Sequence, residues 1–211
     1  MTLFLVDFLL VSTPILGAGL LLTHLQRTAI ARGRILRWAV FASLASPLVR
    51  LFVTPAPAPK AAIVVDRVPV DTIGVIWLAV ALAILVVLLI RHWRLSFRLS
   101  RMRRLEVGMW TESLGVAGGV DAATLAAAPD SFSSPFCLGR TICIPDWMIA
   151  SLDEEERASV LAHELEHIRR ADSGWALFME IVCAIFFGQP LLLLVKHQLQ
   201  TVAEERADNA A

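Results

Sequence analysis

Long apolar runs, separated by short clusters of charged residues, fill the first half of the chain. A helix of roughly 20 apolar residues is long enough to cross the hydrocarbon core of a bilayer. The runs therefore predict three transmembrane helices, at 2–24, about 35–54 and about 72–90. The first run carries Asp7 and lacks the basic residues that precede the apolar segment of a cleaved signal peptide, so we expect it to be retained.

Basic residues are distributed unevenly between these runs. Arginines follow the first run and the third, whereas the proline-rich linker at about 55–71 has only Lys60 and Arg67. Because positively charged loops stay in the cytoplasm, the N-terminus and the linker are predicted to lie outside, and the chain from about residue 91 inside. We interpret the Arg-rich stretch after the third run as a signal for topology and for lipid headgroups.

Polar and apolar residues mix between about 105 and 172, which is typical of a small globular domain. The segment PFCLGRTICIP predicts a β-hairpin that turns at Leu138-Gly139-Arg140 and ends at Pro145. A helix is expected to start after Ser151, where Ser151 and Glu154 fit a capping box, and to run to about Arg170.

Composition agrees with a membrane protein and narrows the function. Hydrophobic residues make up 57% of the chain, more than in a typical soluble domain. The formal net charge is zero, so no general basic character indicates nucleic-acid binding. The three cysteines lack the spacing of a zinc site and are interpreted as small apolar packing residues.

The predicted helix carries the sequence His163-Glu164-Leu165-Glu166-His167. Two histidines four residues apart project from one face of a helix and can bind a single ion. In zinc peptidases the carboxylate after the first histidine removes a proton from a water molecule whose pKa the metal lowers. The motif therefore predicts zinc ligands at His163 and His167, with Glu164 as the catalytic base.

A catalytic zinc ion usually has three protein ligands and one open position, so a third ligand is needed. The candidates in the sequence are Asp172, Glu180, Glu204 and Glu205. Asp172 would need a sharp return of the chain, and a role beside a ligand or at a helix end fits it better. Glu180 lies in an apolar run, where a charge is costly and hence functional by default, and it stays an alternative ligand. Glu204 is preferred because Asp208, one helical turn later, could orient a ligand.

This choice depends on the path of the apolar segment before Glu204. A simple crossing by 174–196 would put Glu204 on the other side of the membrane from the histidines. Gly188-Gln189-Pro190 interrupts the segment, and each arm is too short to span the bilayer. We therefore predict a membrane-embedded or re-entrant helical hairpin at 174–203, followed by a helix at 204–211 that carries the third ligand.

The segments SPFCLGRTICIP, LDEEERASVLAHELEHIRRADSGW and FFGQPLLLLVKHQLQTVAEERAD resemble, in order and spacing, the antirepressor membrane metallopeptidases typified by beta-lactam sensor-transducers. The resemblance implies one zinc ion per chain at His163, His167 and Glu204, with Glu164 as base and Asp208 orienting a ligand. It also implies an enzyme of a bacterial-type cytoplasmic membrane that cleaves a transcriptional repressor or itself in signal transduction. The expected fold is a multi-span α-helical membrane protein, with three helices in 1–91 and a small α+β zincin-like (gluzincin) cytoplasmic protease domain at 92–173.

The sequence departs from that family in two respects. Only three residues follow Asp208, so we expect the further span and the extracellular sensor domain to be lacking, either because the chain is a minimal family member or because it was cut just past its metal site. The chain contains no tyrosine that could stabilise the oxyanion, which leaves His197 and Arg206 as candidates for that role. The expected partners are a protein substrate and membrane lipid, without direct nucleic-acid contact, and the oligomeric state stays open.

Two other functions fit some of these features. A membrane quality-control or CAAX-type zinc protease shares the HExxH motif and the later acidic motif. A non-catalytic, zinc-stabilised membrane receptor or scaffold would use the metal only structurally. The hairpin at 135–145 fits either a strand that pairs with extended substrate or one that only packs the domain.

Overall fold

The computed structural model describes residues 2–52, 70–105 and 123–209, and most of these are helical. The helices are α1 (Thr2–His24), α2 (Ala29–Phe52), α3 (Val70–Ser100), α4 (Asp146–Ser151), α5 (Glu154–Arg169), α6 (Asp172–Ile185) and α7 (Pro190–Asp208). The strands are β1 (Arg103–Arg104), β2 (Thr124–Ala128), β3 (Phe136–Leu138) and β4 (Thr141–Pro145). Contacts divide the chain into a first unit, Met1–Val87 with Glu180–Leu199, and a second unit, Leu88–Met179 with Gln200–Ala211.

In the first unit, α1 packs along α2. Their shared core includes the fully buried side chains of Phe8, Leu16 and Leu36. A Cβ atom at Gly19 would lie only 2.6 Å from the Cβ of Ala39, so the two helices approach more closely than any larger residue at position 19 would allow. Small residues permit the same close approach between helices in membranes.

Two of the described helices are long and apolar enough to cross a membrane, over Phe4–His24 and Thr72–Ser100. The predicted second span forms a helix, α2, but α2 is not among these candidates. Three arginines lie in the first three turns of α2: Arg32, Arg34 and Arg37. The number of spans therefore stays a prediction.

Helix α3 runs to Ser100, ten residues past the predicted end of the third span. No glycine or proline interrupts residues 91–100, so the first part of the Arg-rich stretch continues the helix. The prediction of a proline-rich linker at about 55–71 lies almost entirely outside the described residues.

The predicted interruption at Gly188-Gln189-Pro190 is a break between two helices, since α6 ends at Ile185 and α7 begins at Pro190. The indole of Trp77 in α3 covers this break within the first unit. Its Nε1 donates a hydrogen bond of 2.8 Å to the carbonyl of Ile185, and its ring stacks on Phe187 with 4.3 Å between centroids. A backbone carbonyl freed by the end of α6 thus obtains a side-chain donor.

Residues of α1 cover the same break. Gln189 is 2% exposed, and its Nε2 donates to the hydroxyl oxygens of Ser12 at 2.8 Å and Thr13 at 3.0 Å. Phe186 stacks on Phe8 with 3.9 Å between ring centroids. The irregular backbone between α6 and α7 is therefore enclosed by side chains of the same unit.

The second unit contains a four-stranded sheet in the order β1-β2-β4-β3. The predicted hairpin is confirmed, because β3 and β4 pair antiparallel and Gly139 between them has a φ of +60°, which glycine adopts without strain. Strand β2, which pairs parallel to β4, was not predicted. The hairpin places β3 at one edge of the sheet.

The two faces of this sheet pack against different helices. One face presents Leu125, Ile142 and Ile144 to Leu161 and Leu165 of α5. The small residues of the other face pack against the end of α3 and nearby residues; the contacts join Ala126, Ala128 and Cys143 to Leu99, Met102, Phe132 and Phe136. The sheet thereby fixes the helix that carries the two histidines.

Helix α5 spans Glu154–Arg169, close to its predicted end, but the predicted capping residue is wrong. Asp153, not Ser151, caps the helix: its Oδ1 accepts from the Glu156 amide at 2.9 Å, and Glu156 Oε2 accepts from the Asp153 amide at 3.0 Å. Ser151 is instead the last residue of α4. Both residue pairs have capping-box spacing, so the sequence pattern alone does not distinguish them.

Candidate metal centre

The two histidines of α5 turn their Nε2 atoms toward each other, 3.2 Å apart. Their spacing of four residues puts both imidazoles on one face of the helix. His167 is buried and His163 is partly buried. Packing of α5 on the sheet therefore presents two nitrogen donors at one point.

Glu204 of α7 completes a group of three donors within the second unit. Its Oε2 lies 3.6 Å from His163 Nε2 and 3.7 Å from His167 Nε2. Among the described residues, these three form the group of histidine, cysteine and acidic side chains that could hold a metal ion.

The spacing and chemistry of the three donors fit zinc. A tetrahedral zinc ion with ligand bonds of about 2.0–2.1 Å holds neighbouring donors roughly 3.3–3.4 Å apart. The three distances between these donors, 3.2, 3.6 and 3.7 Å, lie close to that value. Two imidazoles and one carboxylate are also a common ligand set of catalytic zinc, and they leave a fourth position for water.

The other ring nitrogen of each histidine meets an aspartate. His167 Nδ1 lies 2.9 Å from Asp172 Oδ2, and His163 Nδ1 lies 3.1 Å from Asp208 Oδ1. Aspartates in these positions accept a hydrogen bond from a protonated Nδ1. The lone pair on each Nε2 is then free to bind a metal. Asp208 thus lies where a residue that orients a ligand is expected.

Asp172 reaches His167 because the chain turns sharply between α5 and α6. Ala171 makes this turn in the left-handed region, with a φ of 53°, which is unfavourable for a residue other than glycine. Asp172 then becomes the first residue of α6, where a carboxylate also favours the positive end of the helix dipole. It occupies both of the positions that we considered for it, beside a ligand and at a helix end.

The environment of this pair shifts both pKa values. The hydrogen bond to Asp172 raises the pKa of His167 above its ordinary value, although burial acts in the opposite direction. Burial raises the pKa of Asp172, but hydrogen bonds from His167 and Arg170 outweigh it and leave the pKa below its usual range. The side chain of Asp172 therefore stays ionised beside the ring of His167.

Glu164 is 6% exposed and follows His163 on α5. Burial raises the pKa of its carboxyl group, and the charges of His167 and His163 counteract this only in part. The thiol of Cys137 on β3 makes a side-chain hydrogen bond with this carboxyl group. Burial, followed by the charges of Glu164 and Asp172, raises the pKa of Cys137 to about 12, so the thiol keeps its proton and acts as the donor.

Four other candidate residues lie outside the group of three donors: Glu180, His197, Glu205 and Arg206. Glu180, the alternative ligand, belongs to the first unit, where its Oε1 lies 3.3 Å from Lys196 Nζ. His197 also belongs to the first unit, and its role at the oxyanion stays a prediction. Arg206 and Glu205 flank the site on α7 in the second unit, and both are partly buried.

Two residues near the histidines were missed from the sequence, Cys137 and Arg170. Arg170 donates hydrogen bonds to Asp172 and to the carbonyl of Ala203, next to Glu204. The pattern His167-Ile-Arg-Arg170-Ala-Asp172 contains the only local signal, a cation beside the aspartate. Cys137 has no comparable signal, because its partner lies on a separate element.

The family model of BlaR1 peptidase M56 matches residues 23–211 of the chain. The matched range contains the three donors, both aspartates beside the histidines, and Glu164. No curated protein matches the chain.

Proposed function

The chain belongs to the BlaR1 peptidase M56 family, a family of metallopeptidases. On that premise we propose that it is a membrane-embedded zinc endopeptidase that cleaves a protein substrate, with the zinc ion held by His163, His167 and Glu204. The observation that carries the proposal is the convergence of these three donors beside the buried carboxyl group of Glu164. The substrate is a cytoplasmic or membrane-proximal protein, such as a transcriptional repressor or the enzyme itself.

Each residue of the site has a role in peptide hydrolysis. His163, His167 and Glu204 would hold the zinc ion, which supplies Lewis acidity and lowers the pKa of a water molecule. Glu164 takes the proton of the attacking water on its carboxylate and returns it to the leaving amine. Its raised pKa suits this exchange, because a base that must later act as an acid works best with a pKa nearer neutrality. Asp208 and Asp172 keep the imidazoles oriented.

The membrane arrangement is part of the same proposal. The protease domain at 92–173, of the zincin-like (gluzincin) type, lies on the cytoplasmic side, and residues 1–91 form three transmembrane helices. The segment 174–203 forms a membrane-embedded hairpin that returns Glu204 to the histidines. Enclosure of the break between α6 and α7 by Trp77, Ser12 and Thr13 supports this, because irregular backbone at membrane depth must be covered by protein.

Catalysis is tested by replacing the proposed base alone. Glu164→Gln removes the proton acceptor and leaves all three metal donors, so the purified full-length protein in detergent should keep its zinc and lose cleavage of itself and of candidate substrates. The matched control is Glu155→Gln, an exposed glutamate on the same helix, which should cleave like the wild type. Undiminished cleavage by Glu164→Gln would contradict the catalytic assignment, and an unchanged cellular response would favour the non-catalytic receptor.

The third ligand is tested by comparing two glutamates. Glu204→Gln should reduce bound zinc well below one ion per chain at micromolar metal, because one of three protein ligands is lost. Glu180→Gln is the control, and it should bind zinc like the wild type. The reverse result would transfer the third ligand to Glu180.

The natural substrate can be identified from the new protein ends that cleavage creates in cells. Protein N-termini that arise in cells expressing the wild type, and are absent in cells expressing Glu164→Gln, mark the cleavage sites directly. A regulator of transcription among them would support the repressor role, and only exported or misfolded membrane proteins would support the quality-control role.

A further inference from the structure

Arg170 has an almost completely buried guanidinium group at the junction of three helices in the second unit. Its side chain is 8% exposed. Nη1 donates to Glu166 Oε1 of α5 at 2.8 Å, and both Nε and Nη2 donate to Asp172 Oδ2 of α6, at 3.0 and 2.7 Å. Nη2 also donates to the carbonyl oxygen of Ala203 in α7 at 2.9 Å.

Two of these partners, Asp172 and Ala203, are adjacent to proposed metal ligands. Asp172 holds the ring of His167, and Ala203 immediately precedes Glu204 in α7. The carbonyl oxygen of Ala203 has two lone pairs, so it can accept a hydrogen bond from the guanidinium in addition to one from a helical amide. The side chain of Arg170 thus links α5, which carries His163 and His167, to α7, which carries Glu204.

We propose that Arg170 is a positioning residue that sets Glu204 at the correct distance from His163 and His167 by linking α5, the start of α6 and the end of α7. The inference rests on the proposed zinc site and adds a residue to it. Arg170 does not touch the metal or the substrate; it acts through Ala203 and Asp172.

The chemistry of the contacts requires arginine. A planar guanidinium carries five donors in a fixed fork and can reach three acceptors at once, whereas an ammonium group is a single point. The two carboxylates compensate the buried charge, which would otherwise be costly.

The adjacent residue is a matched control. Arg169 lies next to Arg170 in the sequence, but it is 58% exposed and comes no closer than 3.9 Å to Glu166. Replacement of either arginine by glutamine changes the net charge equally and leaves helix propensity almost unaltered. A difference between the two variants therefore reflects the buried contacts.

The experiment measures zinc affinity of the full-length protein in detergent by competition with a chelator. Arg170→Gln should weaken zinc binding by roughly 10–100-fold, the usual cost of disturbing residues behind metal ligands. Arg169→Gln should stay within about threefold of the wild type, as expected for an exposed position. Arg170→Lys, which keeps the charge and most of the volume, should lie between them and serves as the test if the glutamine variant does not fold.

A double-mutant cycle separates positioning of Glu204 from a general effect on folding. In a Glu204→Gln background the further loss from Arg170→Gln should be clearly smaller than in the wild type, because the ligand that Arg170 positions is already gone. Equal losses in both backgrounds, or wild-type affinity in Arg170→Gln and in Arg170→Lys, would overturn the inference. A wild-type protein that binds no zinc would instead refute the proposed function, so the two failures are distinguishable.

Discussion

The two histidine–aspartate pairs of the proposed metal centre have the same chemistry but different surroundings. The side chains of His167 and Asp172 are 10% and 11% exposed, and Arg170 holds the carboxylate from the other side. The side chains of His163 and Asp208 are 23% and 72% exposed. Water weakens a hydrogen bond to a charged group, so the inner pair, His167–Asp172, contributes to the stability of the domain, whereas the outer pair, His163–Asp208, would mainly orient a ligand of the proposed metal. Similar hydrogen-bond distances thus correspond to different energetic roles.

The largest effect is expected at the inner pair. Asp172→Ala removes the acceptor of His167 and leaves the buried Arg170 with one carboxylate, Glu166. We expect a loss of about 3 kcal/mol in the stability of the metal-free protein, the lower end of the cost of breaking a buried ion pair. Zinc affinity should fall by roughly 10–100-fold as well. Denaturant unfolding in detergent and chelator competition measure the two quantities.

The outer pair should respond in only one of these measurements. Asp208→Ala should lower zinc affinity by about tenfold, because His163 loses the acceptor that orients its ring. Stability of the metal-free protein should change by less than about 0.5 kcal/mol, as for exposed substitutions. If Asp208→Ala destabilised the protein as strongly as Asp172→Ala, the distinction between the pairs would be wrong.

The smallest effect is expected at Cys137, whose thiol contacts Glu164, the proposed base. Cys137→Ala removes a donor to Glu164 without touching a metal donor. Cleavage should slow by roughly five- to tenfold, the value of about one hydrogen bond, and zinc content should stay unchanged. Cys183→Ala in the first unit is the control and should cleave at the wild-type rate. A loss of zinc in Cys137→Ala would show that the thiol supports the metal donors instead.

Local sequence patterns were sufficient to predict several features of the site and of the elements beside it. The HExxH spacing, the hairpin turn at Gly139 and the end of α5 all follow from residues close together in the chain, and each agrees with the structure. The start of α5 does not, because both Ser151 and Asp153 have a glutamate three residues later.

Features that depend on distant contacts were less accessible. Strand β2 is rich in alanine, which is a weak strand former. Its parallel partner in the sheet, β4, does not follow it directly in the sequence, because β3 lies between them along the chain. The turn that carries Asp172 back to His167 uses Ala171 at a positive φ, where a sequence argument expects glycine. Arginine is usually exposed, so burial of Arg170 depends on acceptors from three helices that only the folded chain brings together.

The ligand set of the metal is the central claim, and X-ray absorption at the zinc edge of the purified full-length protein tests it most directly. The account predicts one zinc ion per chain with four nitrogen or oxygen ligands at about 2.0–2.1 Å, including two imidazoles, and loss of one imidazole signal in His163→Ala. Absence of bound zinc, or sulfur ligands at about 2.3 Å from the cysteines, would contradict it.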